Sequence, residues 1–349
     1  MRIETQNQIS IPSQRNVLDA PETMPRLSLV RQPVELPVTT EVAPILPVYD
    51  TEVNDWQTQT VSDSKHGTVF TDTFIMSDGM GYQTKFGEPR TRKTDVPVAF
   101  TTAWCTGTEG HNMHTMLKLM DEGYPVMMIG PEGLVKDGLQ PAARWKQARA
   151  TRLGYTAHNI HEILNEVTKP QQYDRDSIVV IGESRGGMTA MCLNALADQY
   201  KRHIVKTIAV APCYARPFRR SDGLKLTEQI IMEPAHLVQA MGHVSLSAGL
   251  HDIGTFPVKA GLRYFTHMAA LAPVLFSGET GRYAKLIPKD RDIDIETFNG
   301  DYSSQPDEWE KIFEAHPNVK INRRPGGHLS IPNALPGTIT TLRKLLPSL

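Results

Sequence analysis

Ile178-Val179-Val180-Ile181-Gly182-Glu183-Ser184-Arg185-Gly186-Gly187 is the stretch that decides the fold. Four consecutive aliphatic residues read as a short strand buried on both faces. Immediately downstream, Met188, Met191, Cys192, Ala195 and Leu196 recur at helical spacing. Between strand and helix stands G-x-S-x-G, centred on Ser184. The letters alone arise by chance often enough to carry little weight; their position between an aliphatic strand and an amphipathic helix carries much more. A chain that reverses so sharply strains its central residue, and flanking glycines remove side chains that would collide. The Ser184 hydroxyl is therefore expected at the sheet edge, beside the positive end of the helix that follows. The competing reading is a glycine-rich turn with an idle serine.

Outward from this point, strands and helices alternate. Gly67 to Ile75 and Tyr82 to Phe86 read as strands around a turn at Gly79 and Gly81. Pro97 to Ala103 and Pro125 to Ile129 read as buried strands. Met113, Met116, Leu117 and Met120 mark one helix face, and Ile160, Ile163, Leu164 and Val167 another. Strands of this length alternating with helices imply a mostly parallel sheet covered on both sides. From Tyr214 to Asp290 the alternation weakens. About 75 residues between two strands is too long for a simple loop, so 214–290 reads as a largely helical inserted cap. Its apolar residues Leu237, Val238, Met241, Leu250, Phe256 and Phe265 are candidates for a pocket wall, and Arg216, Arg219 and Arg220 for meeting an acidic substrate. The core is then 56–213 together with 291–349. Residues 1–55 differ again: Pro12, Pro21, Pro25, Pro33, Pro37, Pro44 and Pro47 precede the first glycine, Gly67. That density forbids helix and reads as an extended arm, lying on its own domain or wrapping a neighbouring subunit in a homo-oligomer.

Composition narrows the function classes. The 349 residues carry 37 basic and 38 acidic side chains, a net charge of −1, so the basic footprint of a nucleic-acid protein is missing. No apolar run approaches the ~18 residues that span a bilayer. The polar start, Met1-Arg2-Ile3-Glu4-Thr5-Gln6, has no secretory pattern, and the expectation is a cytoplasmic protein. Three separated cysteines, Cys105, Cys192 and Cys213, do not make a disulfide framework.

A serine nucleophile needs a base. Among 12 histidines, His158 and His161 read as solvated helix positions. His111 and His114 have a spacing that could face a metal but lack a third ligand, so neither a metal nor another cofactor is expected. His328 stands apart: it follows Val319-Lys320-Ile321-Asn322-Arg323-Arg324, a strand, and the turn Pro325-Gly326-Gly327.

Over roughly residues 60 to 349 the chain resembles the α/β-hydrolase superfamily. Gly182-Glu183-Ser184-Arg185-Gly186 is similar to that family's nucleophile elbow, and Pro325-Gly326-Gly327-His328 to its late histidine loop. The resemblance implies an eight-stranded, mostly parallel sheet flanked by helices, with the cap inserted after the sixth strand. It implies catalysis by Ser184, His328 and an acid on the loop after the strand Ile293 to Phe298. Asp301 fits that position, with Asp307 next; Asp294 and Glu296 lie within the strand, and Asp252 belongs to the cap. The backbone of Arg185 is the implied first oxyanion donor. The second maps to Ala103-Trp104-Cys105-Thr106-Gly107, where Trp104 or Cys105 would supply the amide, in a sequence that departs from the family's usual pattern. The expected activity is hydrolysis of a small-molecule carboxylic ester through an acyl-enzyme. Amide or peptide cleavage, acyl transfer, or a noncatalytic binding role on the same fold are the alternatives, because such a fold does not name its substrate.

Overall fold

Alternating side-chain direction along short aliphatic strands lets one sheet serve two cores. Ile208 and Val210 pack into one cluster with Val98, Phe100, Val179 and Ile181, while Ala209 between them packs into the other with Ile293 and Ile295. The computed structural model describes residues 49–103, 107–135, 138–139, 152–171, 173–174, 176–219, 222–240, 244, 248 and 277–348.

The strands are β1 Val53–Ser64, β2 Gly67–Met76, β3 Gly81–Pro89, β4 Val98–Thr101, β5 Val126–Ile129, the small hairpin β6 Leu134–Val135 and β7 Gly138–Leu139, then β8 Ser177–Glu183, β9 His203–Val210, β10 Ile293–Phe298 and β11 Val319–Arg324. Among the described residues the main sheet has nine strands in the order β1-β2-β3-β5-β4-β8-β9-β10-β11. Pairing is antiparallel from β1 to β5 and parallel from β5 to β11. The helices are α1 His111–Asp121, α2 Leu153–Gln171, α3 Arg185–Leu196, α4 Asp222–Ala240, α5 Glu279–Ala284, α6 Pro306–Phe313 and α7 Leu335–Leu345. Met116, Leu119 and Met120 of α1 and Leu342 of α7 cover one face of the sheet. Met191 of α3, Ala284 of α5, and Trp309 and Phe313 of α6 cover the other.

Four expectations need correction. The sheet has nine strands, not eight, because β1 adds an edge that begins at Val53, inside the supposed arm. Most of its residues are exposed, so it lacks the apolar alternation that marks a strand in sequence. His158 and His161 are buried rather than solvated, because α2 packs against α3. His161 stacks on Tyr200 at 4.2 Å and reaches the Leu193 carbonyl at 3.2 Å; burial pushes its pKa down to about 3. Val238, offered as pocket wall, is 63% exposed on α4. Arg216 is held by Asp222 at 2.8 and 2.9 Å, so its charge is met within the chain. Residues 1–48, Arg220, Met241, Leu250, Asp252, Phe256, Phe265 and the side chain of Leu237 lie outside the described residues. Among the described residues no helix is long and apolar enough to cross a membrane.

Candidate active site

The parallel strands β8, β9, β10 and β11 deliver their following loops to one edge of the sheet. Ser184 follows β8 directly, at φ 56° and ψ −116°, and occupies the position just before the first turn of α3. A non-glycine residue in this region is strained and persists only when its surroundings hold it. Here the Ser184 amide donates to the Val210 carbonyl at 2.8 Å, and the Met188 amide to the Ser184 carbonyl at 3.1 Å. The glycines of the motif permit the close approach. A Cβ on Gly186 would stand 2.0 Å from the Thr101 carbonyl oxygen, and one on Gly182 2.1 Å from the Gly186 carbonyl oxygen. Thr101 Oγ1 completes the contact, donating to the Gly186 carbonyl at 2.8 Å. Gly186→Ala is therefore expected to lower stability by about 1–3 kcal/mol through overpacking, measured by denaturant unfolding; an unchanged midpoint would show that β4 yields freely.

His328 lies beyond β11, at the start of a short 3-10 turn, His328–Ala334. Its Nε2 is 2.7 Å from Ser184 Oγ, and its Nδ1 is 2.7 Å from Asp301 Oδ2. Asp301 side-chain exposure is 0%, and that of His328 17%. The other Asp301 oxygen accepts from the Ser303 amide at 3.0 Å, the Ser303 hydroxyl at 2.5 Å and the Ser304 amide at 3.2 Å. Burial by itself would raise the Asp301 pKa; the His328 charge and these hydrogen bonds overcome it and hold the carboxyl below its ordinary range. Burial likewise pulls His328 down, but the Asp301 charge reverses this and lifts its pKa well above the free-histidine value.

The other acids lie elsewhere. Asp307 meets exposed Arg323 at 2.5 Å, Asp294 meets buried Lys206 at 2.8 Å, and Glu296 meets Arg324 at 2.5 Å. Arg185 follows Ser184, with its amide at the first turn of α3 and its guanidinium paired with buried Glu132. Trp104 and Cys105 lie outside the described residues, while His111 Nε2 reaches Glu183 Oε2 at 3.0 Å.

Sequence reasoning missed three neighbours of this line. Ser303 Oγ stands 3.2 Å from His328 Nδ1 as well as on Asp301; an Asp followed two residues later by Ser is a turn signal that could have flagged it. Cys213, on the loop after β9, brings its Sγ to 3.9 Å from Ser184 Oγ and 4.0 Å from His328 Nε2. Glu233 of α4 meets the His328 main chain, and nothing in the sequence near His328 points to it.

The fold that carries this Ser–His–Asp line has counterparts among solved structures. DcsB, determined in complex with its substrate analogue, superposes with a TM-score of 0.53 at 14% identity, covering 80% of this chain and 98% of its own. The chain has the α/β-hydrolase fold. The esterase Pf2001 from Pyrococcus furiosus gives a TM-score of 0.50 at 13% identity over 80% of this chain and 91% of its own. The thioesterase domain from the curacin biosynthetic pathway gives 0.50 at 12% over 80% and 99%. Neither a protein-family model nor a curated protein sequence matches the chain. Within the α/β-hydrolase fold β1 is the outermost strand, at the end of the sheet opposite β11.

Proposed function

We propose that the protein is a serine hydrolase that cleaves a carboxylic ester through an acyl-enzyme. One observation carries this reading: Ser184 Oγ and Asp301 Oδ2 lie 2.7 Å from opposite nitrogens of the same imidazole. With its proton on Nδ1, shared with Asp301, His328 presents a bare Nε2 to the serine. As Ser184 Oγ attacks the ester carbonyl, its proton passes to Nε2. The carbonyl electrons move onto oxygen, where the Arg185 amide donates to the oxyanion, together with a second amide from the loop after β4. Collapse expels the alkoxide, which takes the proton from Nε2 and leaves as the alcohol. Water then attacks the acyl-serine, gives its proton to Nε2, and the carboxylic acid departs as Ser184 regains its hydrogen. Atoms and charge balance with water as the one co-reactant. Helix α4 of segment 214–290 packs on the His328 turn, which supports the reading of that segment as a cap.

The test is a fluorophosphonate probe on the purified full chain, followed by peptide mapping and a panel of p-nitrophenyl esters with matched anilides. The expected result is a single adduct on Ser184, absent from Ser184→Ala, and turnover of esters well above anilides. A chain that takes no label and turns over no ester is a binding protein on this fold; preferential anilide cleavage makes it an amidase.

A further inference from the structure

The main chain of His328 is gripped from outside its own loop. Glu233 lies on α4, within the inserted segment, and its residue is 8% exposed. Its Oε1 accepts from the His328 amide at 2.7 Å, and its Oε2 from the Leu329 amide at 2.6 Å. The preceding amide, that of Gly327, donates to Ser330 Oγ at 3.1 Å. Three successive N–H groups at the start of the 3-10 turn thus find side-chain acceptors, and Glu233 supplies two of them. Such amides have no partner inside their own helical turn. A carboxylate shared by two N–H donors makes charge-assisted bonds, roughly twice as strong as neutral ones.

The glycines before His328 take on a second meaning. Gly326 has φ +117°, a backbone that side chains rarely adopt. Gly327 has ordinary backbone angles, yet a Cβ there would stand 2.1 Å from His236 Nδ1 and 3.1 Å from Glu233 Oε1. Its missing side chain is the space into which α4 docks. The imidazole is therefore fixed at two points: Asp301 holds the ring through Nδ1, and Glu233 holds the backbone from which the ring hangs.

We propose that Glu233 is a positioning residue that couples α4 to the catalytic base, so that the inserted segment sets the reach of His328 to Ser184 as well as covering the site. This rests on the hydrolase reading given above. A base displaced by about 1 Å loses on the order of 10²-fold in rate, and α4 is one carboxylate away from causing that displacement.

The experiment compares Glu233→Gln, Glu233→Asp and Glu228→Gln in the full chain, with p-nitrophenyl acetate as substrate. Glu233→Gln keeps the shape but turns an NH2 group toward one of the two amides. It is expected to lower kcat by about 10- to 100-fold with KM changed less than about 3-fold, because the substrate contacts remain. Glu233→Asp keeps the charge on a shorter arm and recovers part of the loss. Glu228, exposed on the same helix, is the control and leaves kcat unchanged. In a His328→Ala background Glu233→Gln costs nothing further, since the group it positions is gone. ¹⁵N-histidine spectra supply a readout independent of turnover: the low-field Nδ1–H signal of His328 expected in the wild type broadens or shifts in Glu233→Gln. A variant that keeps more than half of kcat with that signal unmoved overturns the coupling, as does an equal loss of rate in the His328→Ala background. If the wild type itself turns over no ester, the hydrolase reading fails, and the His328 signal alone then decides whether Glu233 positions the ring.

Discussion

Ser184→Ala is expected to lower turnover on the best ester by about 10⁶-fold, and His328→Ala to do nearly the same, with the double variant scarcely worse than either. In the proposed mechanism the losses do not add, because there the two side chains act as one unit. Without His328 the hydroxyl has no acceptor at 2.7 Å for its proton, and without Ser184 the imidazole has nothing to deprotonate. What survives in each case is the oxyanion site and substrate binding, which both variants retain. The measurement is kcat on purified variants, with thermal unfolding showing that each is folded. If either single variant kept more than about a tenth of wild-type turnover, the pairing would be wrong as a catalytic unit.

Asp301→Asn is expected to lower kcat by about 10³–10⁴-fold without unfolding the chain. The amide oxygen can still accept from the Ser303 and Ser304 amides, so the loop keeps its turn. The amide NH2, now facing Nδ1, drives the ring proton onto Nε2, where it blocks the serine. The pH profile carries a second signature. As the proposed base His328 must be neutral to act, and the Asp301 charge holds its pKa well above that of free histidine. The acid limb of kcat/KM in the wild type therefore has its midpoint above about pH 6.5. Removing the carboxylate removes what favours the imidazolium, so the residual activity of Asp301→Asn has its limb at lower pH. Asp307→Asn should change neither quantity by much, since Asp307 meets exposed Arg323 instead. If Asp307→Asn were the damaging change, the acid would have to be reassigned.

Stability follows the same charges with opposite signs. Asp301, depressed in the folded state, contributes stability above the ordinary carboxylate range that is lost as pH falls through its folded value. His328, raised in the folded state, contributes stability below about 6.5 that is lost as pH climbs through its folded value.

Strands β4, β5 and β8 were legible because burial on both faces demands apolar runs, and Val98, Val126 and Ile178 each open or lie in one. Strand β9 passed unnoticed although Ile204, Ile208, Ala209 and Val210 are buried, because buried Lys206 and Thr207 interrupt its apolar pattern. The Lys206 charge is met at 2.6 Å by Asp292 and 2.8 Å by Asp294, neighbours that come only with β10. His161 misled for a related reason: its polarity marks it for solvent, and only the packing of α2 on α3 encloses it.

The sequence by itself determined the strand–turn–helix that strains Ser184, because aliphatic run, flanking glycines and helix face are all local signals. It also isolated His328 and the loop carrying Asp301, since each follows a readable strand. Only the tertiary structure decided which carboxylate faces the imidazole. Asp301 and Asp307 share one loop and one chemistry in sequence, and they part only when the Ser303 turn buries the first and Arg323 draws the second to the surface. Tertiary structure likewise decided that Glu233, 95 residues before His328, grips its backbone. Bonds between residues that distant depend on how two elements dock, and docking is set by the packing of the whole core, which no local periodicity records.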